Sequence, residues 1–399
     1  MHSFRRIFVQ SFARRDSWRF VAPRRPQGDL HMRSIFLALA LMAAAAGPSR
    51  AEDAVLAEAT DLAGFVMFGE SGAPGMVLVV VRGDSSIVLG YGETEKGNNQ
   101  KPDGNSLVRL NSITKVFTTE VLASLVAEGK LRLTDTLEHD AGGARTPAFE
   151  GRPITLLDLA THSAALPREM GEAPEDSAPR AWPTRADRWK WLSHFELPWA
   201  PGTIAAYSNV GFDLLADAIE TSGGKPYPDL LRERVTGPLG MADTGFAPTP
   251  EQCKRLMIGS GLGGAGPCVD THATDGSGGL YSTANDMARW LRHNMDESNE
   301  TLALSHAVYR QRQALPAAIG FDEAGPMAGL GLGWVITAAD GIHPATIAKS
   351  GGGVGFMSYI AFAPGRHVGV FVAVNRADFG MFGKLTEAAR GMIADLATR

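Results

Sequence analysis

Residues 355–375 read GFMSYIAFAPGRHVGVFVAVN. Two apolar runs, Gly355 to Ala363 and His367 to Asn375, flank the turn signal Pro364-Gly365-Arg366, which together describe an apolar β-hairpin near the end of the chain. A counterpart lies near the start of the mature sequence. Met76 to Val81 and Ile87 to Leu89 are two strands joined by a turn at Arg82-Gly83-Asp84-Ser85, and the first is apolar enough to be buried on both faces. Leu385 to Ala397 closes the chain as an amphipathic helix. Between these ends the pattern is helical. Ile113 to Lys130 has apolar residues at 113, 116, 117, 121, 122, 125 and 126, with Gly129 as a stop signal, so it is a largely buried helix with Ser112 at its N-terminus. Shorter helical patterns follow at 154–166, 211–221 and 284–293, the last opened by Thr283-Ala284-Asn285-Asp286, a capping-box pattern. Residues 171–187 are rich in Pro, Ala and charge and read as an exposed loop. The expected class is α/β: one antiparallel sheet built from both ends of the chain and flanked by terminal helices, with the helical middle forming a second lobe. There is no internal repeat and no heptad run.

The chain has 399 residues, 44% apolar and 20% charged, which suits a soluble globular protein with two packed lobes. Residues 35–46 form an apolar run preceded by Arg33 and followed by Pro48-Ser49-Arg50-Ala51, the pattern of a secretory signal cleaved after Ala51. Twelve apolar residues cover only ~18 Å as a helix, short of a hydrocarbon core of roughly 30 Å. The expectation is therefore a leader over 1–51, with translation starting at Met32, and one catalytic domain of two lobes over 52–399. Removing residues 1–51 leaves 29 basic and 41 acidic residues, a formal charge of −12. So acidic a chain is a poor binder of nucleic acid or of membranes through polybasic contacts. Cys253 and Cys268 are the only cysteines. Export places them where a disulfide is permitted, and it would restrain the glycine-rich stretch between them. Asp270, His272 and Asp275 are read as a polar loop, and no metal site is expected.

Ser112-Ile113-Thr114-Lys115 sets a hydroxyl and an amine three residues apart, on one face of a helix and within reach of each other. The amine can take the hydroxyl proton, and the helix N-terminus favours an oxyanion beside the seryl oxygen. Ser222-Gly223-Gly224-Lys225 repeats the spacing, but in a Gly-Gly turn that holds no fixed geometry. Two further motifs follow Ser112 in order: Tyr207-Ser208-Asn209 and Lys349-Ser350-Gly351. The trio Ser-x-x-Lys, Tyr-x-Asn and Lys-Ser/Thr-Gly resembles the serine penicillin-recognising enzymes. The tyrosine in the second motif is similar to the class C β-lactamase branch, which includes low-molecular-mass D-Ala-D-Ala peptidases. Supporting stretches are Thr155 to Ser163 before Leu166-Pro167, Gly278 to Thr283, and Gly331-Leu332-Gly333-Trp334, so the resemblance covers about residues 60–395.

An amide or lactam carbonyl needs a nucleophile, a proton relay to the leaving nitrogen and donors for the oxyanion. Ser112 is the expected nucleophile. Tyr207, its pKa lowered by the ammonium groups of Lys115 and Lys349, is coupled to Lys115 as general base and then acid. Asn209 suits Lys115 and a substrate amide, while Lys349 and Ser350 suit a terminal carboxylate, with Gly351 and Gly352 admitting a close backbone. The resemblance implies the backbone N–H groups of Ser112 and Gly352 as oxyanion donors. His162 is read as structural, and Trp182, Trp189, Trp191 and Trp199 as either core or cleft lining. Lys-Ser-Gly-Gly-Gly at 349–353 departs from the commoner Lys-Thr-Gly, and Ser163-Ala164-Ala165 from Thr-Ser-Gly. The extra glycines suit a branched peptide more than a compact antibiotic. The function so implied is an exported, periplasmic DD-peptidase acting on peptidoglycan stem peptides and binding β-lactams, with no cofactor. The rivals are a β-lactamase, a carboxylesterase and a non-hydrolytic penicillin-binding receptor.

Overall fold

The computed structural model describes residues 48–141, 143–178 and 180–397. The apolar run and the start at Met32 expected in the leader lie outside the described residues. The main sheet has eight strands: β1 (Gly75–Arg82), β2 (Ser85–Gly92), β3 (Arg310–Gln311), β4 (Met327–Leu330), β5 (Val335–Thr337), β6 (Thr346–Gly353), β7 (Phe356–Ala363) and β8 (Val368–Val374). Their order is β2-β1-β8-β7-β6-β5-β4-β3 and every pairing is antiparallel. The two hairpins legible in the sequence are thus neighbours that fill one half of the sheet, with β1 pairing with β8 from Met76↔Val374 to Arg82↔Val368.

Helices α1 (Pro48–Ser71), α2 (Thr114–Ala127), α3 (Leu156–Ala160), α4 (Arg185–Leu192), α5 (Asn209–Gly223), α6 (Ala284–His293) and α7 (Phe379–Ala397) complete the main elements. Because side chains alternate along a strand, each central strand feeds two cores. Val77, Val79, Val81, Ile360, Phe362, Phe371 and Ala373 face the helical lobe, packed with Phe117, Trp290 and Leu291. Met76, Leu78, Val80, Tyr359, Val370 and Val372 face the other side, covered by Leu56 and Met67 of α1 and by Phe382, Leu385 and Ile393 of α7. Full burial of each such side chain contributes about 1.5–3 kcal/mol.

Several boundaries differ from the sequence reading for local reasons. The helix expected from Ile113 to Lys130 begins as a 3-10 turn, Asn111–Ile113, and becomes α-helical at Thr114. The pattern at 154–166 yields helix only over Leu156–Ala160, because His162 and Ala165 take positive φ values of 55° and 59°. Within the expected loop, Thr184 and Asp187 form a reciprocal capping box that starts α4 at Arg185. Only half of the expected box forms at α6. Thr283 Oγ accepts from Asp286 N, whereas the Asp286 carboxylate accepts from Asp243 N and Thr244 Oγ, both at 2.9 Å.

Candidate active site

The 3-10 turn carrying Ser112 is clamped to the sheet. Asn111 Nδ2 donates to the carbonyls of Gly353 (2.9 Å) and Phe356 (3.3 Å), and Ser358 Oγ donates to Leu110 O at 2.8 Å. Strand β6 comes so close that a Cβ on Gly351 would lie 2.2 Å from Leu110 O and 3.2 Å from Ser112 N. That approach requires glycine. On the other side, α2 is pinned by its own polar side chains: Thr118 Oγ to Gly276 O at 2.8 Å, Thr119 Oγ to Leu332 O at 2.7 Å and Lys115 Nζ to Ser277 O at 2.6 Å.

Lys115 Nζ also donates to Ser112 Oγ at 3.2 Å and to Asn209 Oδ1 at 2.7 Å. Lys115 is buried, while Ser112 keeps partial exposure. Tyr207 and Asn209 reach this lysine from the turn opening α5. Ser208 caps the helix through Gly211 N (2.9 Å), donates its hydroxyl to Pro167 O (2.6 Å), and gives its backbone N–H to His162 Nδ1 (3.0 Å). The His162 ring stacks on Tyr207 at 4.2 Å. Burial, with Lys115 and Lys349 nearby, holds the His162 pKa well below its ordinary value, so the ring is a neutral acceptor that fixes the tyrosine.

The ammonium groups of Lys115 and Lys349 lie 4.9 and 5.0 Å from the Tyr207 ring centre. Burial alone would raise the tyrosine pKa, but the two ammonium groups and the Ser112 hydroxyl outweigh it and hold it below its ordinary value. Burial, aided by the Lys349 charge, lowers Lys115. Both groups thus give up a proton more readily than they would in water, beside the seryl oxygen.

Strand β5 pairs with β6 only from Thr346 to Ala348, which leaves the β6 edge from Lys349 onward without a neighbouring strand. Ser350 N points to that edge, donating to Glu323 Oε1 at 3.1 Å. Since N–H directions alternate along a strand, Gly352 N, two residues on, faces the same edge. Lys349 Nζ (3.0 Å) and Ser350 Oγ (2.9 Å) also donate to Glu323 Oε1. Lys349 and Glu323 are both 1% exposed at the side chain.

The residues of the three motifs thus converge, and Cys253 and Cys268 are not among them. Those two are joined in a disulfide with Cα atoms 5.8 Å apart. Ser222-Gly223-Gly224-Lys225 lies elsewhere: α5 ends at a left-handed Gly224, and Lys225 pairs with Glu233 on the surface. The tryptophans divide. Trp189 is core, whereas Trp199 lines an apolar pocket of about 360 Å³ with Leu166, Phe195 and Tyr207. Four polar residues at the site stand outside the three motifs. Glu169 accepts from Asn209 Nδ2, Glu323 holds Lys349, Ser277 receives Lys115, and Asp213 lies behind it. Asp213 is buried, its Oδ1 has no partner, and burial pushes its pKa up to about 7. The acidic pair Asp322-Glu323 inside a Gly- and Pro-flanked stretch is the only sequence trace of Glu323.

The model of the Beta-lactamase family matches residues 48–391. The chain belongs to the beta-lactamase family. Within it, this chain is 44% identical over 337 residues to the D-alanyl-D-alanine-carboxypeptidase/endopeptidase AmpH of Escherichia coli (strain K12), covering 83% of this chain and 87% of the relative. A crystal structure of a beta-lactamase/D-alanine carboxypeptidase from Yersinia pestis complexed with citrate superposes with a TM-score of 0.81 at 40% identity, covering 86% of this chain and 98% of that one. A class C beta-lactamase at 20% identity shares the fold, with a TM-score of 0.72 over 86% of this chain and 97% of its own. Among the described residues no helix is long and apolar enough to cross a membrane.

Proposed function

We propose that this chain is an exported serine DD-peptidase that cleaves D-Ala-D-Ala termini and D-Ala to diaminopimelate cross-links of peptidoglycan stem peptides in the periplasm, and that β-lactams acylate the same serine. The observation that carries the reading is the convergence of Ser112, Lys115, Tyr207, Asn209 and Lys349 on one open strand edge. The similarity to two D-alanine carboxypeptidases supports it. A stem peptide adds to the free edge of β6 as an extended strand, its backbone taking the place of a neighbouring strand. Ser112 Oγ attacks the penultimate carbonyl carbon and gives its proton to the Tyr207–Lys115 pair. The N–H groups of Ser112 and Gly352 receive the oxyanion. As the C–N bond breaks, the pair returns the proton to the leaving amine. Water then attacks the acyl-enzyme, deprotonated by the same pair, and Ser112 is regenerated.

The test is a time course of intact mass for the protein and its Ser112→Ala variant, mixed with a penicillin and separately with a D-Ala-D-Ala muropeptide. A penicillin adduct that lasts minutes while free D-Ala accumulates, both absent in the variant, is the expected result. Rapid loss of the adduct without release of D-Ala would make the protein a β-lactamase. No adduct and no release would remove Ser112 from its role.

A further inference from the structure

The carboxylate anchor of this site already holds a carboxylate. Lys349 Nζ, Ser350 Oγ and Ser350 N converge on a single oxygen, Glu323 Oε1, at 3.0, 2.9 and 3.1 Å. These are the donors that a leaving group ending in a carboxylate would need. Glu323 sits on the short segment from Gly320 to Pro326, between residues 318–319 and strand β4. Gly320 and Gly325 bracket that segment with φ values of 81° and 93°, conformations that glycine adopts readily. Phe321 packs edge-on against Tyr207 at 5.7 Å and His162 at 5.5 Å, so the same segment touches both the proton relay and the anchor.

We propose that Glu323 is a specificity-determining residue, an internal carboxylate that occupies the anchor formed by Lys349 and Ser350 and competes with any anionic leaving group. The inference rests on the DD-peptidase reading of Ser112. A buried ion pair satisfied by two further hydrogen bonds is hard to displace, because the incoming anion must replace every one of them. Glu323 thereby raises the cost of seating a free carboxylate terminus, which must displace it, relative to an uncharged group at the same position.

The experiment compares two matched thioester substrates, an N-acyl-D-alanyl-thioglycolate and its primary carboxamide, in wild type, Glu323→Gln and Glu323→Ala. The readout is the ratio of kcat/KM for the carboxylate to kcat/KM for the carboxamide. Within one preparation this ratio cancels the active fraction and any change in Tyr207. Glutamine keeps the shape and removes the charge, so the ratio is expected to rise roughly tenfold or more, the scale of one charge-assisted hydrogen bond. Alanine is expected to raise it in the same direction. An unchanged ratio in both variants, or a fall, would overturn the proposal and leave Glu323 as a support for Lys349. If wild type hydrolyses neither substrate and penicillin leaves Ser112 unmodified, the failure lies with the DD-peptidase reading instead.

Discussion

At the scale of single residues, the site works by setting one charge against another in a dry place. Tyr207 is buried, and without the two lysines that burial would keep it protonated. Tyr207→Phe keeps the ring that stacks on His162 but removes the proton carrier. Its acylation by penicillin is expected to slow roughly 10²–10⁴-fold, the usual range for a lost general base, with the melting temperature little changed. Stopped-flow acylation and calorimetry check the two halves. Asp213 makes a different prediction. Burial pushes its pKa up to about 7 in the folded chain, against an ordinary value of 3.8. Between those values the folded state binds the extra proton, so stability falls as pH rises from about 4 to about 7 and levels off above. Asp213→Asn is expected to lack that downward slope and to be more stable than wild type at pH 8, as measured by urea unfolding across pH.

At the scale of elements, the packing of β6 against the 3-10 turn positions Ser112. Gly351→Ala puts a methyl group 2.2 Å from Leu110 O, so strand and turn must separate. A loss of about 1–3 kcal/mol of stability is expected, as for other overpacked sites, together with a large loss of Ser112 acylation. Gly365→Ala, in the turn between β7 and β8, meets nothing within 4 Å and is the control that should leave both unchanged. The α6 cap offers a second measurement. Thr283→Ala is expected to cost about 1 kcal/mol, the ordinary value for an N-cap. Asp286 acts outside the cap: it ties α6 to Asp243 and Thr244, and Arg289 covers its carboxylate at 2.7 Å.

At the scale of the whole molecule, an aromatic column joins the helical lobe to the sheet. Phe117 of α2 stacks on Trp290 of α6 at 3.9 Å, Trp290 stacks on Trp334 at 5.8 Å, and Trp334 meets Phe362 of β7 edge-on at 5.3 Å. Trp290 also donates to the buried Glu120 carboxylate at 2.7 Å, whose other oxygen faces His293 at 2.9 Å. Trp290→Ala is expected to cost about 3–5 kcal/mol through the cavity alone. The acceptor left without its donor adds to that loss. Chemical denaturation followed by far-UV circular dichroism measures it.

The sequence by itself determined the features that repeat over short distances along the chain. Near-continuous apolar runs at 76–81, 356–362 and 368–374 specify strands with two buried faces, and the order of Ser112, Lys115, Tyr207, Asn209 and Lys349 carries the signature of the family. Spacing within a motif is a local property, and so it survives without a fold. Only the tertiary structure decided which charges meet. Glu323 reaches Lys349 from 26 residues away, Asp213 comes to rest behind Lys115, and Asp286 turns from its own helix cap to Asp243 and Thr244. The local pattern places Asp286 in a helix cap and Asp213 on a helix, but it names the distant partner of none of the three. Each gains its role by losing water beside groups that only the packing of distant elements brings near, where in a medium of low dielectric a single charge outweighs any local preference.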